Sequence, residues 1–167
     1  MAEIERSLKK FTATILSANT ADEYWQALRV LYADTVGVRL FTVMTVDLAR
    51  SEARRAFTSH PAEYPVSGVK PIEFDDWFDI VSRQQRLFVA NTIDDIAKVF
   101  PDHEKIRGMG CGSVVNVPVI VENKLVATIN ILDAENHYEA TRVAIIEKRL
   151  IEPAYRTYLA CVRLTQA

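Results

Sequence analysis

Two asparagines and a threonine, Asn116, Thr128 and Asn130, stand in strand-like segments that are otherwise almost wholly apolar. Successive side chains of a strand point to opposite sides of its sheet. In Lys124 to Leu132 this puts Leu125, Ala127, Ile129 and Ile131 on one face and Thr128 and Asn130 on the other. Ser113 to Val121 divides alike, with Val115, Val117 and Val119 opposed to Val114, Asn116 and Pro118. A few placed amides and hydroxyls within apolar walls are the chemistry of a small-molecule pocket, because the polar groups orient a ligand and the apolar ones enclose it. The solvated side of a half-exposed antiparallel sheet alternates in the same way.

Other residues join this candidate binding set. Thr42 and Met44 lie on the strand-like run Leu40 to Asp47, and Phe57, Trp77, Phe78 and Phe88 supply aromatic area for a wall or, equally, for a core. Asn91 and Asp94 follow a short third strand, where they either meet a ligand or start a helix with a cap and early acids. Met109 and Cys111 sit in Gly-Met-Gly-Cys-Gly, whose glycines permit either close approach of a ligand or a tight turn. No catalytic set emerges. His60, His103 and His137 are scattered and lack the i,i+4 spacing of a helical metal site. Cys111 and Cys161 are fifty residues apart and outside any CxxC pair, which suits a reducing cytoplasm.

The elements that must position these groups follow from periodicity. Ile4, Leu8, Phe11 and Ile15 recur at helical spacing, and Thr20 with Glu23 fits a capping box that opens a second helix ended by Gly37. Leu40 to Asp47 and Arg54 to Ser59 are expected to form a hairpin. Residues 60–110 hold prolines, glycine and short segments: a loop from His60 to Lys70, a helix from Asp75 to Gln85, a strand from Arg86 to Thr92, a helix from Asp94 to Phe100 and a further turn. Ser113 to Val121 and Lys124 to Leu132 form a hairpin about Glu122-Asn123, and a last helix runs from Glu139 to Leu164 with a kink at Pro153. The fold class is α+β: an antiparallel sheet with the terminal helices on one face and residues 60–110 as a lid on the other.

The chain has 167 residues, which suits one domain. Its 20 basic and 22 acidic side chains leave a net charge of −2, so nothing in the balance points to nucleic acid or anionic lipid. No apolar run approaches the roughly 20 residues of a membrane span, and the charged start lacks the apolar stretch of a signal peptide. Ile145, Ile151, Tyr155, Tyr158 and Val162 cannot all face the sheet, which predicts a homodimer through the end helices.

The stretch GSVVNVPVIVENKLVATINILD, running to Asp133, resembles the hallmark of GAF domains: a serine-started strand with a Val-Pro pair, a tight turn and a second apolar strand. The continuation through Tyr138-Glu139 into a long helix fits as well, and Ala127 stands where these families usually have glycine. The resemblance implies a PAS-like design and the binding of small molecules such as cyclic nucleotides, tetrapyrroles, haem or metabolites. It also implies dimerisation through terminal helices and an output supplied by a partner protein. The ligand and any cofactor stay unnamed.

A bilin attachment cysteine would precede a histidine, whereas Cys111 precedes Gly112. The free methionine-R-sulfoxide reductases on this scaffold use a cysteine at a position falling near Arg107, with further cysteines upstream; none precedes Cys111 here. Their substrate-binding carboxylates fall on Val114, Asn130 and Leu132. The resemblance therefore favours a sensory binding domain over a small-metabolite enzyme acting through Cys111 or Asp133.

Overall fold

A computed structural model describes residues 1–66 and 68–166. Six antiparallel strands form one sheet in the order β3-β2-β1-β6-β5-β4. The strands are β1 (Leu40–Asp47), β2 (Glu52–Thr58), β3 (Val69–Pro71), β4 (Phe88–Ala90), β5 (Ser113–Val121) and β6 (Lys124–Asp133). The β5–β6 turn has Glu122 and Asn123 at φ of 50° and 62°, the left-handed pair that matches the twist of a two-residue hairpin.

One face is dry and helical. α1 (Ala2–Ser17) and α2 (Ala21–Val36) precede the sheet, and α6 (Ala140–Ile145) and α7 (Ile151–Gln166) follow it. Thr20 and Glu23 close the expected capping box, the Glu23 carboxylate accepting from the backbone N–H of Thr20 at 3.1 Å. Phe11, Leu28, Leu31 and Tyr32 pack with Ile146 and Leu150 over Phe41, Val43, Val115, Val117, Ile129 and Ile131.

Where a kink is expected at Pro153, the helix has a π-turn just before the proline, at Ile146–Leu150. Proline has no N–H to give the preceding turn, and the Tyr32 hydroxyl donates to the Leu150 carbonyl at 3.1 Å. Of the five apolar side chains expected to be surplus on the end helices, Ile145 and Tyr158 pack against the core instead, while Ile151 and Tyr155 stand exposed. Among the described residues, no helix is long and apolar enough to cross a membrane.

Two further expectations give way to bulges. Pairing shifts between Val43–Phe57 and Met44–Arg55, leaving Ala56 as an extra residue in β2. It shifts again between Val119–Ala127 and Ile120–Leu125, leaving Val126 extra in β6. An extra residue breaks strict alternation, so side chains beyond it change face. Leu125, expected with Ala127 and Ile129, packs on the opposite side against Phe78 and Val81. Phe57, expected in the binding set, is buried in the dry core edge-to-face with Phe41 at 5.9 Å.

The lid contains α3 (Asp76–Phe78, continued by a π-turn at Asp79–Arg83), α4 (Ile93–Ala97) and α5 (His103–Gly108). It also holds β3 within the segment expected to be loop: three residues ending in a proline, on the outer edge of β2. Because Phe57 is a core aromatic, Phe57→Ala is expected to cost about 3–5 kcal/mol in urea unfolding. A loss under about 1 kcal/mol would put the ring outside the core.

Candidate functional site

Between the sheet and the lid lies a cavity of about 290 Å³. Its floor is the face opposite the helices: Leu40, Thr42 and Met44 of β1, Val114 and Asn116 of β5, and Thr128, Asn130 and Leu132 of β6. Its roof and rim come from Trp77, Phe78 and Phe100, with Arg55, Tyr64 and Asp102 to one side. Asn116, Thr128, Asn130 and Thr42 are all buried.

Register explains how the polar floor is assembled. Thr42 pairs with Asn130 across β1–β6, and Asn130 with Asn116 across β6–β5, so three polar side chains stand in a row. The row is hydrogen-bonded end to end. The Trp77 indole donates to Asn116 Oδ1 at 2.9 Å, Asn116 Nδ2 to Asn130 Oδ1 at 2.7 Å, and Asn130 Nδ2 to Thr42 Oγ1 at 3.2 Å. An indole N–H can only donate, so it fixes which amide atom of Asn116 faces it and thereby the direction of the whole chain. The chain ends on a hydroxyl that accepts from Asn130 and keeps its own proton.

The lid is held over this floor by specific contacts. Asp75 caps α3 by accepting from the Phe78 N–H at 2.9 Å. Phe100 lies edge-to-face with Trp77 at 6.2 Å and with Phe88 at 6.1 Å. The Tyr64 hydroxyl donates to Asp102 at 2.6 Å, tying the segment after β2 to the start of α5. Burial, followed by that hydrogen bond, holds the Tyr64 phenol well above its ordinary range.

Six of the twelve expected site residues line the cavity: Thr42, Met44, Trp77, Asn116, Thr128 and Asn130. The other six do not. Phe57 is on the dry face, and Phe88 backs Phe100. Asn91 grips the start of the C-terminal helical segment, donating to the Tyr138 carbonyl at 2.9 Å and accepting from its N–H at 3.1 Å. Asp94 stands exposed in the first turn of α4, whose cap is Thr92. Met109 and Cys111 belong to a tight turn in which Gly110, at φ 74°, accepts from Arg39 at 2.7 Å. The glycines there serve the turn.

Cys111 packs among Leu40, Val114 and Leu132 in a small apolar cluster. Burial pushes its thiol up to about 11, with Arg39 opposing and Asp133 adding to the effect. Cys161 lies in the helical core, its thiol pushed by burial up to about 12. Among the described residues, no three His, Cys, Asp or Glu side chains gather as a metal site. The reading of the sequence missed Arg55, Tyr64 and Asp102: it weighs Phe57 as an aromatic without its alternation partner Arg55, and Tyr64 and Asp102 come from lid segments far apart in sequence.

This arrangement has known counterparts. The chain is similar to the GAF domain of an Acinetobacter phosphoenolpyruvate-protein phosphotransferase, with a TM-score of 0.72 at 11% identity over 98% of both chains. It is similar to the GAF domain of a two-component sensor histidine kinase from Bacillus halodurans, with a TM-score of 0.70 at 11% identity over 90% of this chain and 100% of that one. The fold is that of a GAF domain. A free methionine-R-sulfoxide reductase from Neisseria meningitidis, solved with its substrate, shares the fold, with a TM-score of 0.68 at 14% identity over 97% of this chain and 92% of that one. No protein-family model matches the sequence, and no curated protein matches it significantly.

With its thiol pushed up to about 11, Cys111 is only about one part in a thousand thiolate at pH 8. Labelling of the folded protein by a disulfide reagent is therefore expected to be far slower than for a free cysteine, rising about tenfold per pH unit up to pH ~11. Rapid labelling at pH 7.5 would mean that the turn around Cys111 opens readily.

Proposed function

We propose that this GAF-fold domain is a sensory domain that binds a small molecule between its sheet and lid and signals through a homodimer or a partner protein. The carrying observation is the cavity floored by the Trp77–Asn116–Asn130–Thr42 chain, a set of oriented polar groups in apolar walls. The two-component sensor histidine kinase among the similar structures supports the sensory reading.

Binding is favoured over catalysis by the chemistry of the same floor. Val114, Asn130 and Leu132, the positions on which the reductases' carboxylates fall, all line the cavity and are uncharged here. Cys111 is held as a thiol outside the cavity lining, and Cys161 lies on the opposite face of the sheet. A thiol–disulfide cycle between them has no route. Two free thiols suit a reducing cytoplasm.

The ligand occupies the cavity and holds the lid through Trp77 and Phe100. Dimerisation uses α7, where Ile151 and Tyr155 are each 38% exposed one turn apart. Native mass spectrometry of protein purified from its own host is expected to show a retained small molecule that leaves on unfolding. Mass equal to the bare chain, with no compound released, counts against the reading. In light scattering at micromolar concentration a dimer is expected, and Tyr155→Glu is expected to yield monomer with the fold intact; a wild-type monomer would rule out the dimer.

A further inference from the structure

Arg55 reaches the cavity because of the bulge in β2. Straight alternation would put Ala53, Arg55 and Phe57 on one face. The extra Ala56 sends Phe57 into the dry core and leaves Arg55 beside Met44 on the cavity side. Re-aiming a side chain is a recurrent use of bulges next to functional sites.

The guanidinium it delivers is poorly compensated. Nη1 donates to the Pro65 carbonyl at 3.1 Å, and the group lies 4.9 Å over the Tyr64 ring. Nε is enclosed and has no hydrogen-bond partner. Among the described residues, Nη2 makes no hydrogen bond and no carboxylate comes within ion-pair distance of Arg55. The acids on the cavity wall are otherwise placed. Asp102 accepts from Tyr64, Asp75 from the Phe78 N–H, and Glu73 is exposed, as is Lys70, a second cation on the lining. Arginine stays protonated, and a half-buried guanidinium with an unmet donor gains from a counter-charge brought to it.

The floor calls for the same kind of occupant. Thr42 accepts from Asn130 and retains a proton to donate, and the buried Thr128 hydroxyl makes no hydrogen bond among the described residues. Arg55 and the hydroxyls of the floor thus offer donors, while Leu40, Leu132 and Phe100 offer apolar surface. Its complement is a molecule with acceptors, a negative charge and an apolar body. The planar guanidinium fork pairs with carboxylates and phosphates alike, and the singly charged carboxylate is the less costly of the two to place between apolar walls.

We infer that the ligand is a small organic carboxylate, ion-paired with Arg55 and lying along Leu40, Leu132 and Phe100. This rests on the binding role proposed above. The cavity of about 290 Å³ is at the lower end of small-molecule pockets, which suits a small acid.

The test titrates the full chain with phenylacetate and isocaproate, with the neutral phenylacetamide, and with phenyl phosphate, followed by tryptophan emission and calorimetry. Trp77 on the cavity wall supplies the signal, and Trp25 is buried in the helical core. The acids are expected to bind at least about tenfold more tightly than the amide, as charge-assisted hydrogen bonds do over neutral ones. Arg55→Gln is expected to erase that preference while its ligand-free Tm stays at or above wild type, because an uncompensated charge has gone. Equal binding of acid and amide overturns the inference and leaves the pocket standing, and so does a preference for phenyl phosphate. Silence from all four probes overturns the pocket reading and this inference together. An Arg55→Gln protein that melts lower and keeps the acid preference makes Arg55 a structural post and overturns the inference; if that variant does not fold, the wild-type comparison of acid and amide decides alone.

Discussion

Asn116 and Asn130 face each other in the middle of the sheet, and both are buried. Buried amides are costly unless bonded. Each has acceptor and donor ends, so satisfying the pair demands a donor at one end of the row and an acceptor at the other. Thr42 is the acceptor, supplied by the neighbouring strand. The donor must come from above, and it is the indole of Trp77. The position of α3, and with it the front of the lid, is therefore set by the needs of two amides on the floor. A filled hydrophobic contact would hold the lid too, but without fixing its height or direction.

The same bond makes the lid responsive. Trp77 and Phe100 touch, and Phe100 rests on Phe88 of the edge strand. A ligand that competes for Asn116 or presses on Phe100 acts on α3 and on the segment before α5 together. The second fastening is Tyr64 to Asp102. Two polar clasps with apolar surface between them can open at a cost of a few kcal/mol, which is the range in which binding energy can redistribute conformations. The helical side is fastened more widely, through Tyr32 to Leu150 and through Asn91 to both backbone atoms of Tyr138.

How much of this could be read from residues follows from where alternation holds. Between Val115 and Val119, and between Ala127 and Ile131, the period of two is unbroken, and both the dry face and the polar row come directly from it. At Ala56 and Val126 the period slips, and inference from spacing fails at the residues beyond, Phe57 and Leu125 among them. Nothing in Arg-Arg-Ala-Phe marks a bulge, because the extra residue is required by pairing with β1, a contact the local sequence does not encode. The lid was legible in composition but not in detail. Its helices are a few residues long, and β3 is a three-residue edge strand whose proline is tolerated only because that edge is unpaired.

The residue most informative about function thus stands two places from one that pattern alone misassigns. A bulge is a local defect in pairing, and a half-buried arginine with an unpartnered Nε and no acid beside it is a second one in charge pairing. A sequence selected for packing alone would have an aliphatic side chain beside Met44 in straight pairing, with Phe57 at the same face. The structure instead has Arg55 on the cavity wall, with one backbone carbonyl and one aromatic ring for company. Local departures from the most stable arrangement gather where a protein meets something other than itself. Here two of them, a slipped pairing and an unanswered charge, coincide on the wall of the same cavity.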